Sequence, residues 1–202
     1  DVRSHDDVAR ELGRLPAEWR AVEVLVNNAG LSRGLEPLQR GDLDDWNEMI
    51  DTNVKGLLHV DRNVVPWMVE RGRGTVVHIG SVAGRQVYPG GNVYNASKHA
   101  VKAIYEALRL DEVGSGVRFT TVDPGMVETE FSLVRFHGDA ERAEQVYQQF
   151  PPLQARDVAE AVHEAALSLA LQDRPLPRRA HDALDVDAFG QHRTDHARAA
   201  RL

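Results

Sequence analysis

Glu23-Val24-Leu25-Val26-Asn27-Asn28-Ala29-Gly30 decides how the rest of the chain is read. A short apolar run closed by Asn-Ala-Gly is the pattern of a strand buried in a parallel sheet and running into a turn. Downstream the pattern recurs twice. Thr75-Val76-Val77-His78-Ile79 runs into Gly80-Ser81, and Gly116-Val117-Arg118-Phe119-Thr120-Thr121-Val122 stops at Asp123-Pro124-Gly125.

Helical patterns fill the intervals. Between the first two strands, residues 42–70 place Leu43, Trp46, Met49, Ile50, Asn53, Val54, Leu57, Leu58 and Val64 at three-to-four spacing, with Gly72 and Gly74 after them and a break expected near Asn53. Residues 94–113 form a second strong helix, and residues 6–15 a short amphipathic one with Ser4 as N-cap. Residues 139–149 and 157–171 read as two more, the last with Val158, Ala161, Val162, Ala165 and Leu169 on one face. Strands alternating with helices predict right-handed βαβ units in an α/β, Rossmann-like doubly wound parallel sheet. The ligand crevice of such a sheet opens at the carboxyl ends of its strands, where Asn28, Ser81 and Pro124 lie.

The bulk numbers fit that reading. At 202 residues and 42% apolar content, one domain with a sizeable core is expected. From residue 173 onward Arg, His, Asp, Ala and Pro dominate without strand period, so the domain is expected over residues 1–171 and a divergent, poorly ordered tail over 172–202. No cysteine is present, so neither a disulfide framework nor a thiolate zinc site can be built, in keeping with a cytoplasmic location. No metal site is expected. The apolar runs are strand-sized, far below the roughly 20 residues that span a bilayer, and a net charge of -7 offers no basic footprint to nucleic acid. The expected partner is therefore a small molecule, with neither membrane nor nucleic acid.

Tyr94-Asn95-Ala96-Ser97-Lys98 carries the chemistry, since a tyrosine and a lysine at i and i+4 share one face at the start of a helix. A phenol titrating near pH 10 is a poor acid/base at neutral pH, and an adjacent ammonium favours its anion. A Tyr and Lys at this spacing also occur as an exposed pair. Ser81, at a strand end, can hold a substrate oxygen beside the phenol or merely cap a turn. Asn53 sits within an apolar helix face, where its amide must find either a structural partner or a relay water. Asn28-Ala29-Gly30, Asn53, Gly80-Ser81, Tyr94 with Lys98 and Pro124-Gly125 all fall on the elements where such a site needs them.

Together these residues resemble the short-chain dehydrogenase/reductase family, over residues 1–171. Gly80-Ser81-Val82-Ala83-Gly84, Gly90-Gly91-Asn92-Val93-Tyr94 and Val127-Glu128-Thr129-Glu130-Phe131-Ser132-Leu133-Val134-Arg135 resemble its NADP-dependent 3-hydroxy acid dehydrogenases, which act on L-serine and L-allo-threonine. The resemblance implies an NADP-dependent oxidoreductase in which Tyr94 is the general acid/base. Lys98 would lower its pKa and hold the nicotinamide ribose, Ser81 would orient the substrate oxygen, and Asn53 would anchor a relay water. It also implies cofactor contacts from Asn28, Ala29 and Gly30 on the adenine-ribose side and from Pro124, Gly125, Val127 and Thr129 over the nicotinamide. Asp1, with Val2 beside it, would match an acidic residue near the adenine amine, or simply flank a helix. Arg135 would take a substrate carboxylate, with an ordinary surface arginine as the alternative. The family's usual assembly is a homotetramer built on the helices flanking the second strand.

Two departures qualify the resemblance. The family's first two strands and its glycine-rich pyrophosphate turn have no counterpart in these residues and would precede Asp1, and residues 173–202 do not resemble its last strand. The chain is therefore expected to be a fragment with an open sheet edge, and the preference for NADP over NAD rests on the subgroup alone. A cofactor-less fragment or pseudoenzyme of the same family is the competing reading.

Overall fold

In the structure, a computed structural model, residues 1–148 and 151–170 are described. Three strands, β1 (Val24–Asn27), β2 (Gly74–Ile79) and β3 (Val117–Val122), form a parallel sheet in the order β1-β2-β3. The register pairs Asn27 with His78 and Ile79 with Val122, so all three strands end at one rim. These are the strands expected from sequence.

β2 is the central strand, and its neighbouring residues show why it reads as continuously apolar. Val76 and Val77 point to opposite faces and both are fully buried. Val76 packs with Val117 and Phe119 against Val64, Val65 and Met68 of α3 (Leu57–Arg71), with Tyr105 and Leu108 of α4 (Asn92–Asp111) at the edge of that cluster. α7 (Ala155–Ala170) packs on β2 and β3 as well. Each large apolar side chain withdrawn from water contributes about 1.5–3 kcal/mol. The sheet is thereby flanked by helices in the Rossmann-like manner.

Preceding the sheet, α1 (His5–Gly13) is capped by Ser4, whose side chain accepts from the Asp7 N–H, and α1 packs on α3. α2 (Leu43–Ile50) starts at an Asp42 cap. Contrary to the break expected near Asn53, the helix runs on between α2 and α3. It widens into a π-turn over Asp51–Gly56, a local irregularity common at functional sites. α3 ends at Gly72, whose φ of 67° closes the helix in the left-handed conformation that glycine adopts without strain.

Under the rim lies a polar cluster. Asp61 of α3, nearly fully buried, accepts from Asn27 Nδ2 at 2.6 Å and pairs with His78 Nε2 at 2.9 Å, bridging β1, β2 and α3. His78 Nδ1 is buried without a partner.

Beyond β3, sequence periodicity missed three short elements. β4 (Val127–Glu128) pairs in parallel with β5 (Leu153–Gln154), and α5 (Phe131–Arg135) lies between them in the chain, followed by α6 (Ala140–Gln145). Two-residue strands and a five-residue helix carry too few residues to show a period. The expected helix over 139–149 is shorter than predicted and turns 3-10 at Val146–Gln148. Residues 149–150 and the expected tail, 172–202, lie outside the described residues.

Candidate active site

At the rim the chain ends of β1 and β2 form a floor, and α4 rises from it. The first turns of α4 present Tyr94 and Lys98 on one face, as their spacing requires. Gly84, in the turn after Ser81, lets α4 approach: a Cβ there would stand 2.6 Å from the Lys98 carbonyl oxygen. A cleft of about 420 Å³ opens beside them, lined by Asn28 and Gly30 after β1, by Ser81, Tyr94 and Lys98, and by Pro124, Gly125, Val127 and Thr129 after β3. Nine residues expected from sequence are thus brought to one cavity of ligand-binding size. It is also lined by Ile79, Gly80, Phe131, Ala155 and Val158, which sequence reading had not assigned. Ala155 and Val158 reach it because the β4–β5 pair seats the start of α7 there.

Ser81 takes the turn-capping part foreseen for it and lies beside the phenol. Its Oγ accepts from the Ala83 N–H at 3.1 Å, capping the turn, and its hydroxyl also stands against Tyr94. Burial raises the Tyr94 phenol above its usual pKa, while the Ser81 hydroxyl and the Arg135 guanidinium pull it back down. Lys98 is almost wholly buried, and desolvation lowers its ammonium to about 8, with Asp123 opposing. Its Nζ donates to the Ile79 carbonyl at 2.9 Å and stands 5.9 Å from the Tyr94 ring centroid. Two cations thus stand near the Tyr94 ring, Lys98 at 5.9 Å and Arg135 at 5.6 Å from its centroid.

Arg135 is not a surface residue. It is 7% exposed, its guanidinium lies 5.7 Å from the ring centroid of Tyr88 and 5.6 Å from that of Tyr94, and it donates to the Tyr88 hydroxyl. Nε is buried without a partner, and among the described residues no carboxylate pairs with this cation. One helical turn earlier, Phe131 meets the Tyr94 ring edge-on at 5.8 Å. α5 thus grips Tyr94 with one face. Nothing in the local sequence marks Tyr88 as Arg135's partner; they are 47 residues apart.

Asn53 resolves toward its structural alternative. Its Oδ1 accepts from the Leu31 N–H at 2.8 Å, and its Nδ2 donates to the Leu31 carbonyl at 2.8 Å and to Ser97 Oγ at 3.0 Å. Both amide protons are committed within the protein, which leaves acceptor capacity at Oδ1 alone. The side chain instead ties the loop after β1 to α4. Asp1 is held by the Arg3 guanidinium, Val2 gives its carbonyl to His59 Nδ1, and neither lines the cleft; nor does Ala29.

Residues 1–139 match the family described as short chain dehydrogenase. The chain belongs to the short-chain dehydrogenase family. It is similar to the NADP-dependent 3-hydroxy acid dehydrogenase YdfG of Salmonella typhi, 49% identical over 163 residues, 80% of this chain and 66% of that protein. Sulfoacetaldehyde reductase 2 of Chromohalobacter salexigens is 48% identical over 167 residues, 82% and 66% of the two chains. Among solved structures, the closed form of serine dehydrogenase complexed with NADP+ superposes with a TM-score of 0.79 at 49% identity, covering 81% of this chain and 66% of that one. This family member spans 66% of the length of these curated relatives.

Proposed function

We propose that the protein carrying these residues is an NADP-dependent oxidoreductase acting on the hydroxyl-bearing carbon of a small 3-hydroxy acid such as L-serine, L-allo-threonine or 3-hydroxypropionate. The observation that carries this reading is the buried, carboxylate-free Arg135 guanidinium beside Tyr94. A substrate with a hydroxyl at Tyr94 and a carboxylate a few bonds away supplies the missing anion, and a planar guanidinium matches a carboxylate in two directions.

The cleft fits the nicotinamide half of the cofactor. Gly30 borders its mouth, where a Cβ would sit tightly against Asn53 Oδ1 at 3.3 Å. Lys98 would hold the nicotinamide ribose, Asn28 and Gly30 would line the adenine-ribose side, and Pro124, Gly125, Val127 and Thr129 would cover the ring. Ala29, Asp1 and Val2 belong to the same proposal on the adenine side. When bound, the cofactor accepts or supplies the hydride. NADP rather than NAD follows from the relatives' names.

In the oxidising direction Tyr94, as the phenolate, accepts the substrate hydroxyl proton at its own oxygen, and Ser81 holds the substrate oxygen alongside. The buried Lys98 orients the ribose while another of its N–H groups donates to the Ile79 carbonyl. Asn53 secures the loop that floors the cleft. Residues 1–171 then form the dinucleotide-binding unit, and a homotetramer through α3 and α4, in the cytoplasm, completes the reading by covering the half-exposed Leu58 and the exposed Leu110.

The test is NADP-linked oxidation of L-serine by the full-length protein and its Tyr94→Phe variant. Loss of the phenolic oxygen is expected to reduce kcat by roughly 10²–10⁴-fold with the cofactor Kd nearly unchanged. Retained turnover would remove Tyr94 from the mechanism.

A further inference from the structure

A buried cation with no anion is costly unless something uses it. Arg135 faces the proposed acid/base directly, and around Tyr94 the ionisable neighbours are few: Lys98 on α4, Tyr88 in the loop before it and Arg135 on α5, with Asp123 after β3 acting on Lys98. Asp123 is itself paired with Arg85. Burial holds the Lys98 ammonium down to about 8, and one of its N–H groups is given to the Ile79 carbonyl. A guanidinium keeps its charge at every pH a protein survives, and here it lies against the tyrosine ring.

We propose that Arg135 is a positioning residue for Tyr94: its guanidinium stabilises the phenolate through which the proton passes, so that docking α5 both walls the cleft and readies the acid/base. The inference rests on Tyr94 being that acid/base. It goes beyond the carboxylate role proposed for Arg135, because it concerns the enzyme before substrate binds. The geometry gives the coupling a route. Phe131 and Arg135 touch the Tyr94 ring from one helix face, and α5 is fastened by Ser132 Oγ, which donates to Tyr147 Oη at 2.7 Å, and by the Gly34 N–H, which donates to the Arg135 carbonyl at 2.9 Å. With α5 displaced, Tyr94 would lose a charge and two neighbours together.

The proposal is tested without substrate by ¹⁹F NMR of protein grown on 3-fluorotyrosine, whose ring fluorine brings the phenol's titration down to a pH range in which folds survive. The chain has four tyrosines, and Tyr94→Phe assigns the resonance that disappears. In Arg135→Gln and Arg135→Met the Tyr94 titration is expected to move up by about one pH unit, the size of a unit charge at this separation in a screened interior. Arg135→Lys, which keeps the charge, is expected to stay near wild type. A Tyr94 titration that is unchanged or lower in the uncharged variants overturns the proposal, as does an Arg135→Lys shift as large as theirs. Either uncharged variant suffices if the other fails to fold. The two readings fail separately: an active Tyr94→Phe enzyme sinks the acid/base role whatever the titration does, and an unmoved titration sinks this one while the Tyr94→Phe loss stands.

Discussion

The two sides of the cleft are built differently. The floor consists of strand ends in a continuous parallel ladder, extended past the strands by Gly80 N–H donating to Val122 O at 2.8 Å and Val82 N–H to Pro124 O at 3.1 Å. Its central strand β2 is buried, although Val24 and Val26 of β1 are exposed, and Asp61 locks its underside to α3. The opposite wall, from β4 through α5, has a ladder only two residues long and hangs on side chains: Ser132 on Tyr147, and Arg33 on the Val134 carbonyl. Leu133 and Val134, between its buried residues, are more than a third exposed. A segment with few buried contacts opens at lower free energy than a core strand, so the wall can move while the floor keeps Tyr94 and Lys98 in place.

The largest expected effect comes from breaking the floor. Asp61→Ala removes the acceptor shared by Asn27 and His78 and leaves both donors buried, at a cost of about 3 kcal/mol. Denaturant unfolding should show this as a fall in midpoint with little change in slope. A loss below about 1 kcal/mol would mean that the strand ends do not depend on the cluster and that floor and wall are less different than drawn.

Lys98 sharpens the comparison through pH. Its ammonium is depressed to about 8 in the fold and titrates near 10.5 when exposed, so between those values the unfolded chain holds more protons than the folded one. Lys98 therefore contributes a stability that rises with pH across about 8 to 10.5, the cost of burying its charge being full below 8. Lys98→Met should abolish that part of the slope of unfolding free energy against pH. Identical slopes in variant and wild type would show that the floor is wetter than its burial indicates.

The smallest effect is expected at the wall. Tyr147 Oη accepts from Ser132 and is shared between the Val127 and Thr129 carbonyls at 3.2 and 3.3 Å, so Tyr147→Phe frees three groups that water can reach. Amide exchange over residues 127–135 should accelerate by roughly tenfold, about 1 kcal/mol, with exchange in β2 unchanged. Acceleration in β2 as well would show that the wall and floor open as one unit.

Much of this was legible in the sequence because it is local. Short apolar runs ending in Asn28, Gly80-Ser81 and Pro124-Gly125 give strands and their functional ends, and an i, i+4 spacing alone puts Tyr94 and Lys98 on one face. The order of elements then makes the sheet parallel and gathers the strand ends at one rim. Tertiary structure decided what those residues do to one another. Asn53 was visible as a buried amide, but its partners, Leu31 and a Ser97 44 residues away, follow from how a π-turn packs on α4. Arg135 read equally well as a surface residue or a ligand-binding one, because a five-residue helix has no period to orient it. Only the packing of α5 against Tyr88 and Tyr94 turned a flexible surface-type side chain into a buried, unpaired charge. Hydrophobic period fixes which residues a segment buries against a sheet, whereas the state of an ionisable group depends on charges and desolvation contributed by distant parts of the chain.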